Sequence, residues 1–469
     1  MKNFNLFKKI SKNYHIASHL LRGGRGVLFK NTIFRNLINA ACLVLLFFSC
    51  TKSEFDEYET TAGSADFSNY VSVGDSYTQG LQDGGLHNEF GQQDNSYPAI
   101  IAQQMGTPFI QPLVAGTGSG YMHLEYRNGK IEVIKIYDID LTYNDPAAIN
   151  YDFSFTNWAD TTIRYNNLGV GGLNVRNVAP QNSTESLEYH IYLGGGATAP
   201  LAWNGVNGQP ISPYGRFLNW GDLSNPIEYV NQVKKSKATF FTNWLGINDA
   251  MSWAKSGGDE VSGSSALTDP LEFREKYDSI LDAFKANGAK GICATVHNIT
   301  QSPFFTTITL EVLGKDVWIK EGVDTTIIRK AVPEDLILLS AKDFLGDGVG
   351  LTQADPLPHQ QVLDKAEVIV VRNYITDINN QIKAAAASHG YYVLDMYAFI
   401  NTFSSGVTFD GVDLSPKYIE GGAFSLDGLH PNSRGYAMIA NEFIKAINLN
   451  FQSNLQTVPV GNYRGITFP

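Results

Sequence analysis

Four short, nearly uniformly apolar segments are spread along the chain: YVSV at 70–73, ATFFTNWL at 238–245, GICATVHNI at 291–299 and YYVLDM at 391–396. Strands with no polar face have to be covered on both sides, which is the condition of a parallel sheet held between two layers of helices. The segments between and after them supply helical periods. Residues 271–287 repeat Leu271, Phe273, Tyr277, Ile280, Leu281 and Phe284. Residues 361–388 place Val362, Ala366, Ile369, Val370, Tyr374, Ile375, Ile378 and Ile382 along one side. Residues 433–448 carry Tyr436, Ile439, Ala440, Phe443 and Ile447. The expected fold is therefore α/β, a three-layer α/β/α arrangement around a central parallel sheet. In such sheets ligands meet the carboxyl ends of the strands.

The rest of the chain adds β-rich material. Residues 121–136 alternate around Asn128-Gly129, a strong hairpin signal. Residues 140–225 are rich in Asn, Gly, Pro and aromatics and have few helical periods. Residues 306–330 read as a β-rich insertion. A chain with 43% hydrophobic and 17% charged residues has ample core-forming material, which excludes general disorder.

Four segments carry residues with chemical potential, three of them directly behind an expected strand or ahead of an expected helix. Gly74-Asp75-Ser76 ends the first strand and can present a serine hydroxyl near the N–H groups of a following helix, or it is a plain turn. Asn167 to Gly172 (NLGVGG) is a glycine-rich turn whose backbone N–H groups can approach a ligand closely. Gly246-Ile247-Asn248-Asp249 follows the second strand; Asn248 offers an uncharged N–H suited to an oxyanion, or serves as a helix cap. Asp427-Gly-Leu-His430 places a carboxylate three residues before an imidazole, the spacing at which the acid can accept Nδ1–H and leave Nε2 as a general base.

In this order the four blocks resemble the SGNH/GDSL hydrolase family, with its GDS, Gly, G-x-N-D and D-x-x-H segments, over residues 70–448. The resemblance implies an SGNH/flavodoxin-like fold, enlarged here by insertions near 107–160, 180–225 and 300–358. It also implies an esterase or lipase acting on carboxylic esters through an acyl-enzyme. Ser76 would be the nucleophile, His430 the base and Asp427 its orienting acid, with Ser76, Gly172 and Asn248 forming the oxyanion hole. Gly169 or Gly171 could take the place of Gly172. The block at 74–80 reads GDSYTQG rather than GDSL. ATVHNITQSPFF at 294–305 resembles a strand and loop of lipoprotein members, and Phe304 and Phe305 either line an acyl pocket or pack on the core. The expected substrate is an acylated lipid or an acetylated glycan, and no cofactor or metal is called for. Alternatives are an acyltransferase using the same residues and a non-catalytic glycan- or ligand-binding lipoprotein. His297, His359 and His389 are expected to be structural or solvated.

The N-terminus reads as an address. Residues 1–50 hold eight Lys/Arg and no Asp/Glu, and 37–49 (LINAACLVLLFFS) form an apolar run ending at Cys50. Thirteen apolar residues fall short of the roughly 20 that span a bilayer, so the run is expected to be a signal segment. A small residue before a single cysteine resembles a bacterial lipoprotein signal, with Cys50 lipidated and 51–66 a flexible tether. The expected setting is the cell envelope, lipid-anchored at the outer membrane, with the membrane engaged through that anchor. Without residues 1–50 the chain keeps 27 basic and 46 acidic residues, a net charge of −19. That balance disfavours nucleic acid as a partner.

Overall fold

The computed structural model describes residues 59–113, 120–136, 164–179, 229–259, 266–322 and 326–469. The signal segment with Cys50, the start of the tether and the insertion near 180–225 lie outside these residues.

The strands of the main sheet and of the first hairpin are, in chain order, β1 (Tyr70–Gly74), the hairpin pair β2 (Tyr121–Arg127) and β3 (Lys130–Ile136), β4 (Asn167–Gly169), β5 (Phe240–Trp244), β6 (Lys290–Ala294) and β7 (Tyr392–Leu394). Five of them form one parallel sheet in the order β7-β6-β5-β1-β4. The helices around it are α1 (Ser76–Gln79), α2 (Tyr97–Met105), α3 (Tyr229–Lys235), α4 (Ile247–Lys255), α5 (Pro270–Ala286), α6 (Lys365–His389), α7 (Met396–Phe403) and α8 (Ser433–Phe451).

Strand β5 shows why the sheet needs two layers. Its side chains alternate between faces. Phe240 meets Phe451 of α8, and Trp244 meets Tyr97 of α2 and Phe443 of α8. Phe241 points the other way and stacks on Phe284 of α5, with ring centroids 3.9 Å apart. All four β5 and α5 residues of these pairs are fully buried. At roughly 25 cal/mol per Å² of apolar surface, each such ring contributes on the order of 2 kcal/mol, and this burial holds the layers together.

Two details depart from the sequence expectation. The helix expected from 361 begins at Lys365, because Val362 and Leu363 pair with Leu336 and Ile337. Asp364 then starts the helix with a capping box closed by Glu367. The buried stripe of α6 runs through Val368, Val371, Tyr374, Ile375, Ile378 and Ile382, while Ile369 and Val370 are exposed. Counting back from Tyr374 in steps of three and four reaches 371, 370, 368 and 367, so only neighbouring elements decide which edge of the stripe is covered.

Within the span expected as a tether, Thr61 and Ser64 hydrogen-bond to Asn454 and to the Phe451 carbonyl at the end of α8. The insertion after β6 has short strand pairs, 318–320 with 328–330 and 336–337 with 362–363, and an apolar cluster of its own around Val317, Ile319, Leu357 and Val362. No described helix is long and apolar enough to cross a membrane.

Candidate active site

The site begins at the carboxyl end of β1. A Cβ at Gly74 would run into the Thr78 side chain, so glycine is required where the strand turns directly into α1. Asp75 caps that helix by accepting the Tyr77 N–H at 3.0 Å. Ser76 follows as the first helical residue and is 7% exposed.

The D-x-x-H block enters from the other end of the chain, just ahead of α8. His430 Nε2 lies 2.8 Å from Ser76 Oγ, and His430 Nδ1 lies 2.6 Å from Asp427 Oδ2. Asp427 is fixed by its own loop. Its Oδ1 accepts the N–H groups of Leu429 and His430 and the Ser425 hydroxyl, and its Oδ2 also accepts the Gly84 N–H at 3.1 Å. Burial alone would raise the Asp427 pKa. The charge and hydrogen bond of His430 and these N–H donors outweigh it and hold the carboxyl at about 2. Tyr77 packs its ring 5.2 Å from that of His430 and donates its hydroxyl to the Leu429 carbonyl at 2.6 Å. The turn at Gly428 takes φ = 71°, and its carbonyl accepts the Phe304 N–H at 2.9 Å. The segment after β6 thus braces the loop that carries His430.

The other two blocks sit at the ends of β4 and β5. Gly169 lets β4 lie against α1, since a Cβ there would strike the backbone at Gln79. The Gly169 N–H is donated to Asn167 Oδ1 and the Gly171 N–H to Gln79 Oε1. Gly172 takes φ = 82° and borders open space. The N–H groups of Gly169 and Gly171 are thus both engaged within the fold. Asn248 lies in the first turn of α4, and its Nδ2 is buried with no hydrogen-bond partner among the described residues. The next residue, Asp249, accepts the Val175 N–H at 2.8 Å and the Thr268 hydroxyl at 2.5 Å. It ties the start of α4 to the glycine-rich loop. Burial lifts its pKa to about 6 against these hydrogen bonds.

Several expectations resolve here. Phe305 is a core residue at 1% exposure, and Phe304 serves through its backbone. His297 packs between Tyr77 and Trp244, and burial drives its pKa down to about 4, so it stays neutral. His359 faces Asp259 and His389 faces Asp282. Asp75, which the sequence marks only as the middle of Gly74-Asp75-Ser76, is the most perturbed acid of the site. Its Oδ2 is buried with no hydrogen-bond partner among the described residues, and burial raises its pKa to about 8, with the Tyr77 N–H opposing and the Asp249 charge adding.

A carboxyl with a raised folded pKa favours the fold while protonated, and that contribution is lost as pH climbs from the unfolded value near 4 through about 8. Asp75→Asn keeps the acceptor for the Tyr77 N–H and never ionises. Its Tm is expected to fall less than that of the wild type between about pH 6 and about pH 9 in scanning calorimetry. Parallel declines would show that Asp75 is not a strained buried acid.

A fold of this kind with an imidazole between a serine and a carboxylate defines a class of ester-cleaving enzymes. The chain belongs to the GDSL-like lipase/acylhydrolase family, whose model matches residues 70–443, and it is a hydrolase of ester bonds. Among solved structures it is similar to an acetyl xylan esterase, AlAXEase, at 11% identity and a TM-score of 0.30, covering 80% of this chain and 98% of that one. It is similar also to an extracellular lipase from Streptomyces rimosus, at 12% identity and a TM-score of 0.30, covering 81% and 97%. No curated protein matches the chain.

Proposed function

We propose that the protein cleaves carboxylic esters through an acyl-enzyme on Ser76. The observation that carries this reading is the unbroken run of two hydrogen bonds, Ser76 Oγ to His430 Nε2 at 2.8 Å and His430 Nδ1 to Asp427 Oδ2 at 2.6 Å. His430 takes the hydroxyl proton as Ser76 Oγ attacks the ester carbonyl carbon. The charge that develops on the carbonyl oxygen is met by the N–H groups of Ser76 and Gly172 and by Asn248 Nδ2. Collapse of this intermediate breaks the carbon–oxygen bond to the alcohol, which leaves with the proton held by His430. Water then adds to the acyl-enzyme by the same route, releasing the acid and restoring Ser76. Asn248 Nδ2, without a hydrogen-bond partner among the described residues, favours this assignment, since it offers a preorganised donor.

The N-terminal sequence supports a further part of the proposal. The apolar run ending at Cys50 fits a lipid anchor that would hold the enzyme at the cell envelope.

A fluorophosphonate probe tests the reading directly, because it phosphonylates only a serine already activated by its base. Labelling is expected at one site, the tryptic peptide containing Ser76, and competed by p-nitrophenyl acetate. Labelling elsewhere, or none in a folded protein that hydrolyses the ester, would sink the assignment of Ser76.

A further inference from the structure

We infer that a second site, a cavity for one neutral sugar ring, lies beside the loop that carries Asp427. The cavity has a volume of about 210 Å³. That is below the roughly 300–1,000 Å³ of sites for drug-sized ligands, and suits a single ring. Its walls come from the 82–92 loop after α1, the start of the β2 hairpin, Leu426 and the C-terminal tail at 464–469.

The feature that points to a ligand is a group of buried polar atoms without partners. Both ring nitrogens of His87, the amide nitrogen of Gln92 and Nδ1 of His123 are buried and have no hydrogen-bond partner among the described residues. All three side chains line this one cavity. His87 is 3% exposed and Gln92 2%. Buried polar groups are normally paired, so three such side chains converging on one cavity mark a place built for hydrogen bonding.

The chemistry of the lining selects the ligand. Burial, with the Arg464 charge adding, pushes the His87 pKa down to about 3. The ring is neutral near pH 7 and offers one donor and one acceptor. A hydroxyl group answers both. Gln92 Nε2 adds a donor, its Oε1 already accepting the His87 backbone N–H, and His123 adds Nδ1, its Nε2 lying 2.6 Å from Glu125 Oε1. The Tyr121 ring lies 4.7 Å from that of His87 and supplies an aromatic wall. Asp83, Glu89 and Arg464 all line the cavity, so an anionic ligand meets groups of both signs and gains little. A purely apolar ligand leaves the polar atoms unpaired. A polyhydroxylated neutral ring is the class that satisfies them all.

The place of the cavity links it to the active site. The hydrogen bonds from Ser76 through His430 to Asp427 continue to the Gly84 N–H. The adjoining residue, Asp83, accepts the Leu426 N–H through its carboxylate and donates its own N–H to Ser425. Asp83 and Leu426 both line the cavity. The inference rests on the ester-hydrolase reading only in taking this neighbour to be the active site.

Titration calorimetry decides the matter, run on the full-length protein in a detergent without a sugar headgroup, in both wild type and Ser76→Ala. The probes are xylose, glucose, galactose and N-acetylglucosamine. At least one is expected to bind equally well to both proteins. His87→Phe and Gln92→Leu are each expected to weaken it about tenfold, the loss of one or two buried hydrogen bonds, while p-nitrophenyl acetate hydrolysis stays unchanged. Phe90→Ala, at an exposed lining side chain, gives a variant that keeps the buried shell should either of those fail to fold, and is expected to weaken binding too. Absence of binding by every probe overturns the inference. So does binding that survives the substitutions in folded protein, which would put the sugar elsewhere. Because heat of binding is read without turnover, failure here leaves the ester-hydrolase assignment untouched, and loss of hydrolysis would leave this site untouched.

Discussion

Ser76→Ala should fold normally and lose ester hydrolysis on the order of 10⁶-fold in kcat, the scale of nucleophile removal in serine hydrolases. Among the described residues the Oγ atom hydrogen-bonds to His430 Nε2 alone, so the fold gives up little when it goes. The helix that carries it is capped by Asp75 through Tyr77, and the strand before it is buried between its neighbours. The expected change in unfolding free energy is therefore within about 1 kcal/mol. His430→Ala should cost a comparable factor, and the double variant should be no worse than either single one. The two residues act in one step: without the base the hydroxyl is a poor nucleophile, and without the hydroxyl the base has nothing to activate. Turnover of p-nitrophenyl acetate by the three variants, with Tm measured alongside, checks this. Multiplicative losses would mean that Ser76 and His430 contribute separately and that the hydrogen bond between them is not the working contact.

What the sequence makes legible follows from how local the signals are. β1, β5 and α8 announce themselves because the same residues that give the period are those that become buried, as with Phe240, Phe241, Phe443 and Ile447. The hairpin is legible instead from its turn, whose Asn128 and Gly129 take φ of 51° and 81°, the values a two-residue turn demands. β4 is not legible. It has only three residues, Asn167, Leu168 and Gly169, and its place beside β1 depends on a long-range pairing that leaves no period. A glycine-rich turn is all that can be read there, although Asn167 and Gly169 are in the sheet and the turn comes after them. Helix α2 carries a signal that could have been used, Pro98 near its start and Gly106 just past its end. In the site, Ser76, Asn248, Asp427 and His430 are readable as motif residues. What is not readable is the support: Asp249 bridging to Val175, Phe304 holding Gly428, and Gly84 reaching Asp427. Those contacts join residues far apart in the chain, and a backbone N–H has no residue type by which to recognise it.

Asp427→Asn tests the part of that support on which chemistry depends most. The substitution keeps size and leaves Oδ1 to accept from Leu429, His430 and Ser425. The atom that changes is Oδ2, which accepts from both His430 Nδ1 and the Gly84 N–H. An amide nitrogen there sets donor against donor. His430 can answer by moving its proton to Nε2, but Nε2–H then points at Ser76 and cannot accept its proton. The expected loss is about 10⁴-fold in kcat, with KM for a small ester nearly unchanged, the pattern of a wrong tautomer rather than a lost binding contact. Stability gives a second readout that activity alone does not. The Asp427 carboxyl, held at about 2, lies below its unfolded value near 3.9, so its ionised form contributes about 2 kcal/mol at neutral pH. That contribution is present above about pH 4 and disappears as pH falls toward about 2. Urea unfolding at neutral pH and near pH 3 should therefore show the wild type losing stability on acidification by a larger amount than Asp427→Asn. A variant that keeps wild-type kcat, or that shares the wild type's full acid-side loss, would mean that Asp427 neither orients His430 nor carries its charge in the folded protein.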